Sequence, residues 1–158
     1  RRSSDLTVYY LGCKWQCLED KTTKPPTYSS TAWAFVEGNP YFTLEMQSSK
    51  LWNFRLNDLM ATNADGSWKV FTTLSVVGRL YNQDVTDSMV NVVWTRDSGD
   101  PTADNKWALS HANCGLSVDL TYEDLGGAAF KIGSVTFRCD AEIKDGETMY
   151  SEDVSVSF

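Results

Sequence analysis

Short runs rich in β-branched and aromatic residues recur along the whole chain, each closed by turn chemistry, and this rhythm most restricts what the chain can fold into. The clearest runs cover residues 6–11, 31–36, 41–46, 51–56, 68–77, 89–96, 115–121, 134–143 and 149–158. Such residues suit a pleated, half-buried surface. Between them stand Glu37-Gly38-Asn39-Pro40, Ala64-Asp65-Gly66, Asp97-Ser98-Gly99-Asp100-Pro101 and Lys144-Asp145-Gly146-Glu147. The Asp-Gly step in the last is a hairpin signal. Helical patterning is confined to a turn or two at 56–61 and 122–125. Many short strands with regular turns predict an all-β fold, a two-sheet β-sandwich with short helical turns in the loops. With 158 residues, the chain is expected to form a single domain over 1–158 around one core. The longest loop candidate is 18–30, stiffened by Pro25-Pro26. Arg1-Arg2-Ser3-Ser4 reads as a linker, so an upstream domain is an open expectation.

Charge is spread unevenly. Residues 119–158 hold nine carboxylates (Asp119, Glu123, Asp124, Asp140, Glu142, Asp145, Glu147, Glu152 and Asp153) against Lys131, Arg138 and Lys144, which is six of the chain's net −7. Along 135–143 apolar side chains alternate with polar ones, so Asp140 and Glu142 share one face. Asp119 and Asp153 likewise point away from the apolar sets of their segments. If these strands share a sheet, its wet face is a carboxylate field that attracts cationic ligands. The competing reading is an acidic surface that only aids solubility. An isoelectric point near 4.6 argues against nucleic acid, whose phosphates need clustered Lys and Arg. No apolar run approaches the roughly 20 residues that cross a bilayer, so no membrane partner is expected.

Enzyme signals are weak, and no catalytic activity is expected. Ser-His-Asp and Cys-His chemistry need a proton-shuttling histidine. His111 is the one histidine, in a segment that ends at Cys114. The carboxylates lie at outward or turn positions, which offers no buried acid for glycoside hydrolysis. The Asp97–Asn105 segment is rich in oxygen ligands for calcium, but it lacks the order of an EF-hand and reads as an ordinary turn. No metal or cofactor is expected. Among the tryptophans, Trp33, Trp52, Trp68 and Trp94 sit inside strand patterns and are assigned to the core, whereas Trp15 and Trp107 are the ones expected at the surface.

Cys13, Cys17, Cys114 and Cys139 have no metal-site spacing. Two disulfides in an oxidising compartment are therefore expected, one from the Cys13/Cys17 segment and one involving Cys114 and Cys139, with connectivity open.

A family resemblance adds to this. Ala64-Asp65-Gly66 leads into a strand ending Thr73-Leu74-Ser75; Trp107-Ala108-Leu109 precedes Cys114-x-x-Ser117-Val118-Asp119-Leu120; then come Tyr122-Glu123-Asp124-Leu125 and Gly127 before an apolar strand. This order, over about residues 60–145, resembles the secreted poxvirus chemokine-binding and immune-evasion proteins, and most of all the C-terminal chemokine-binding domain of viral tumour-necrosis-factor receptor homologues. The resemblance implies a monomeric, secreted, decoy-type β-sandwich that covers the receptor-binding surface of basic host chemokines. It places the ligand surface at Asn113 and Gly115 beside Cys114, at Phe130 and Lys131, and along Trp33–Tyr41. Family members can carry carboxylates on both sides of that cysteine. Here they are replaced by Asn113 and Gly115, so the acid must come from Glu37, Asp119, Glu123, Asp124, Asp140 or Glu142. Phe130 and Tyr41 are the expected apolar anchors.

Two other readings stay open. Gly133 to Cys139 echoes the strand that carries the second cysteine of immunoglobulin-like adhesion and receptor domains, and Trp94 could be their core tryptophan, but no cysteine precedes Trp94 at the usual distance. A secreted lectin or small hydrolase is the other.

Overall fold

The computed structural model describes residues 6–27, 30–38, 41–146 and 148–158. The opening Arg1-Arg2-Ser3-Ser4, the turn residues Asn39, Pro40 and Glu147, and Tyr28 and Ser29 of the long loop lie outside the described residues.

Period-two burial organises the chain. Strands take 44% of it and helices 14%, so the fold is all-β. The elements are β1 (Thr7–Tyr10), β2 (Cys13–Cys17), β3 (Trp33–Glu37), β4 (Thr43–Ser48), α1 (Leu56–Leu59), β5 (Thr72–Leu80), β6 (Gln83–Asp84), β7 (Val90–Asp97), α2 (Pro101–Ser110), β8 (Ser117–Leu120), β9 (Thr136–Asp145) and β10 (Thr148–Ser157). They form three antiparallel sheets: β1-β2-β3, β10-β9-β7, and a sheet in which β4, β6 and β8 all pair with β5. The chain resolves into two compact units, one of residues 1–43, 78–90 and 142–152, the other of 44–77, 91–141 and 153–158.

In the first unit, β2 turns Cys13, Trp15 and Cys17 inward and leaves Lys14 and Gln16 outward. Trp15 meets Tyr81 edge-on at 5.4 Å, and Tyr81 stacks on Phe35 at 4.7 Å. Burial and a hydrogen bond to Asp145 Oδ2 at 2.5 Å both push the Tyr81 phenol well above its ordinary pKa. Tyr81 and Asn82 carry φ of 52° and 61°, the double left-handed step of a type I′ hairpin, between Leu80 and Gln83 of β5 and β6. The side-chain amides of Asn82 and Gln83 then fix the neighbouring loops through the carbonyls of Leu11 and Pro26.

The second unit is the sandwich. On β5 and β8 the side chains of Leu74, Val76, Val118 and Leu120 are buried, and on β7 and β9 those of Trp94, Phe137, Cys139 and Ala141. Phe158 joins the two layers, meeting Phe137 at 5.9 Å and Phe71 at 5.6 Å. Trp94 Nε1 donates to the Gly115 carbonyl at 2.8 Å, which ties β7 to the approach to β8. With β4-β5-β8 in one sheet and β10-β9-β7 in the other, the order matches strands A-B-E and G-F-C of an immunoglobulin-type sandwich. Trp94 then stands on strand C and Cys139 on strand F.

Several expectations need correction. No two of the four cysteines lie at disulfide-bonding distance. Cys13 and Cys17 end opposite extremities of one extended strand, about 13 Å apart at 3.3 Å per residue. Trp15 and Trp107 are not surface residues but are 1% and 6% exposed, because each sits on the inward side of an element the sequence pattern did not reveal. Trp52 and Trp68, both assigned to the core, are 49% and 36% exposed, since 51–55 is irregular chain running into α1 and Trp68 precedes β5. The calcium-like segment runs from the end of β7 through a short turn into α2. Asp100 caps the helix by accepting from the Ala103 N–H at 3.1 Å, and Pro101 occupies the first turn.

Asp104 anchors that helix. It pairs with Arg96 at 2.7 Å, with the two side chains only 11% and 9% exposed, and it accepts from Ser98 N–H and hydroxyl. Burial alone raises its pKa, but the Ser98 donors and Arg96 outweigh it and hold the carboxyl below the usual range. A folded value below the unfolded one, about 3.9, gives stability fully present above about pH 4 and lost as pH falls through the lower folded value. Asp104→Asn should cost about 3 kcal/mol near neutral pH, because it leaves Arg96 buried without its counter-charge. It should also flatten the acid limb of stability below about pH 4. Denaturant titrations across pH measure both.

Candidate binding surface

The structure separates the sequence candidates. Trp33, Glu37, Tyr41 and Glu142 belong to the first unit; Asn113, Asp119, Glu123, Asp124, Phe130 and Asp140 belong to the second. In the first, Trp33 opens β3 with Nε1 donating to the Lys24 carbonyl at 2.7 Å, and Glu37 ends the same strand, exposed, opposite Lys14. Tyr41 is exposed, and Glu142 is half-buried on β9.

In the second unit the acid divides between sheets. Asp119 stands on β8, which pairs with β5, where it accepts from the Thr73 hydroxyl at 2.5 Å. Asp140 and Asp153 stand on β9 and β10 in the other sheet. The condition for one continuous carboxylate field, all these strands in one sheet, is therefore not met. On the outer face of the β10-β9-β7 sheet, Arg138 donates to Asp140 at 2.7 Å and 3.1 Å and lies 3.7 Å from Asp153. Asp140 first, then Asp153, hold the guanidinium more firmly charged. Two carboxylates around one cation leave this patch with one net negative charge. Val93 of β7 is exposed, at a position that alternates with buried Trp94.

Asp124 serves the fold. Its carboxylate accepts from Trp107 Nε1 at 2.9 Å, Thr121 N–H at 2.7 Å and the Thr121 hydroxyl at 3.1 Å, while its carbonyl accepts from Arg96. Glu123, one residue earlier, is exposed. Asn113 is an exposed turn residue after α2.

His111, Cys114, Ser117 and Asp119 line a shallow cavity of about 390 Å³. Its residue types resemble those of a nucleophile site. Burial raises the Cys114 thiol pKa, which disfavours the thiolate. His111 stacks on Trp107 at 4.0 Å, and its Nδ1 lies 2.7 Å from the Trp107 carbonyl, which makes Nδ1 the protonated nitrogen. The Cys139 thiol is pushed up to about 12 by burial, then by Asp140 and Cys114. Among the described residues no group of three His, Cys, Asp or Glu is placed to hold a metal, and no helix is long and apolar enough to cross a membrane.

Sequence reasoning placed Phe130 at the ligand surface without its setting. Phe130 lines an open groove of about 280 Å³ with Trp52, Phe54, Leu56, Ile132 and Phe158. Trp52 and Phe54 carry strand-like patterning in the sequence, and Ile132 carries no signal beyond being apolar between Lys131 and Gly133.

No protein-family model matches the chain, and no curated protein or solved structure matches it at a significant level.

Asp124→Ala should lower stability by about 2–3 kcal/mol by orphaning the Trp107 and Thr121 donors. Glu123→Lys should change it by less than about 0.5 kcal/mol. Thermal melts of the two variants separate a structural carboxylate from a surface one.

Proposed function

We propose that this chain is a secreted, non-catalytic protein-binding domain whose ligands are small basic proteins, chemokines first among them, and that it acts as a decoy by covering their receptor-binding surface. The observation that carries the reading is the open outer face of the β10-β9-β7 sheet, where Asp140 and Asp153 flank Arg138 and β7 of the same sheet exposes Val93, in a chain of net charge −7. A solvent-open sheet face with a partly apolar strand and excess carboxylate suits a cationic protein better than a small substrate. The long-range charge would raise the encounter rate, and the local pairs would set orientation. The resemblance of residues 60–145 to chemokine-binding domains supports the ligand class.

A second reading, an immunoglobulin-type adhesion or receptor domain, is favoured by the A-B-E and G-F-C strand order with Trp94 and Cys139 on neighbouring strands. It differs in ligand, not in the absence of chemistry.

Surface plasmon resonance against a chemokine panel separates the two. On the first reading several basic chemokines bind, with association rates that fall between about 0.15 and 0.5 M salt. Arg138→Ser should raise the association rate, and Asp140→Lys with Asp153→Lys should lower it by on the order of tenfold. A panel without binding removes the chemokine reading and leaves the adhesion reading standing.

A further inference from the structure

The groove beside Phe130 adjoins a second cavity whose lining carries charged side chains. The two, of about 280 Å³ and 440 Å³, share Asn53 and Phe54 as lining. Trp52, Phe54, Leu56, Phe130, Ile132 and Phe158 line the first together with the polar Asn53 and Ser157; Lys50, Lys69 and Asp58 bring charge to the second, with Leu51 and Val70 beside them. The floor is rigid, because Phe54, Phe71 and Phe158 pack against one another at 5.3–5.8 Å. The rim is open: Leu51 and Ile132 are each 86% exposed. Bulky apolar side chains held this far into water, around a concave aromatic floor, mark a protein contact rather than an enclosed small-molecule site.

The charge says which kind of partner. Asp58 already accepts from the Arg55 N–H, a local bond at the start of α1. Lys50 and Lys69 form no ion pair among the described residues. Two ammonium groups without an ion pair among the described residues are thus placed at one end of an aromatic-lined groove in a chain of net charge −7.

We propose that this groove docks an acidic segment of a partner protein, seating one bulky apolar side chain between Phe130, Ile132 and Phe158 and bringing carboxylates to Lys50 and Lys69. The groove meets the β10-β9-β7 sheet at Ser157 of β10, and it selects the opposite charge from the Asp140 and Asp153 patch. Apolar burial would supply the affinity, and the lysines the direction and the selectivity.

The probe is a short fluorescein-labelled peptide of glutamates around a Leu-Phe pair, compared by anisotropy with the same peptide carrying lysines in place of the glutamates. The glutamate peptide should bind saturably and on the order of tenfold more tightly than its lysine counterpart. Ile132→Ser should weaken it by a similar factor, and so should Lys50→Glu with Lys69→Glu; all three positions are exposed, so the fold tolerates them. Asp140→Lys with Asp153→Lys should leave peptide binding unchanged, which keeps this result independent of the chemokine test. Equal or tighter binding of the lysine peptide, or binding of neither, overturns the proposal. So does self-association of the free protein that Ile132→Ser abolishes, because it makes a second copy the occupant. Displacement of the glutamate peptide by decanoate at concentrations below its micelle threshold, with equal loss of decanoate binding in Lys50→Glu, would overturn it in favour of a free amphiphile.

Discussion

A knot of polar bonds between Arg96, Asp104, Trp107 and Asp124 sets the second unit. Arg96 leaves β7 on the buried side, where a lone guanidinium would be costly. Asp104 of α2 neutralises it, and the Asp124 carbonyl takes another of its N–H groups. Trp107, one helical turn on from Asp104, donates its indole N–H to the Asp124 carboxylate and lays its ring against Phe137 at 5.4 Å. The helix, the turn after β8 and the β7-β9 layer are therefore positioned by one set of mutually satisfied groups. Removing any member leaves a buried donor or charge without its partner, and this is why acid in this region cannot be read simply as ligand-seeking surface.

Much of the fold was legible in the residues. The alternation in 134–143 became β9 with its apolar side buried, the core role of Trp94 held, and the Asp-Gly step of 145–146 does separate β9 from β10. What escaped was local pattern too short or too polar to register. Cys13-Lys14-Trp15-Gln16-Cys17 alternates cleanly, but five residues with two polar members are too short a run to register as a strand, and its burial comes from Phe35 and Tyr81, distant in sequence. Helix α2 announced itself through Asp100 and Pro101. Its apolar stripe is so thin, with Trp107 its one buried side chain, that turn chemistry dominated the reading.

The candidate surface was less legible, for a physical reason. Period-two patterning tells which way a side chain points but not which strand lies beside it. Asp119 and Asp140 both point outward, yet pairing of β8 with β5 places them in different sheets. Likewise Asp124 and Glu123 are equivalent in sequence, and only the position of Trp107 decides that one is structural. The apolar groove depends on residues 52–56, 130–132 and 158 meeting from three parts of the chain, a convergence that no local spacing encodes.

A sandwich without a disulfide between its sheets has a mechanical consequence. Cys139 stands where a sandwich of this strand order often fastens its two sheets covalently, but β5 offers Leu74 and Val76 in place of a partner. Under tension, a fastened sandwich stops extending at its bond and keeps the enclosed loop short. In this one only hydrogen bonds and packing resist the pull, and once an edge strand peels away nothing within the sheets halts extension before the chain reaches its full contour length.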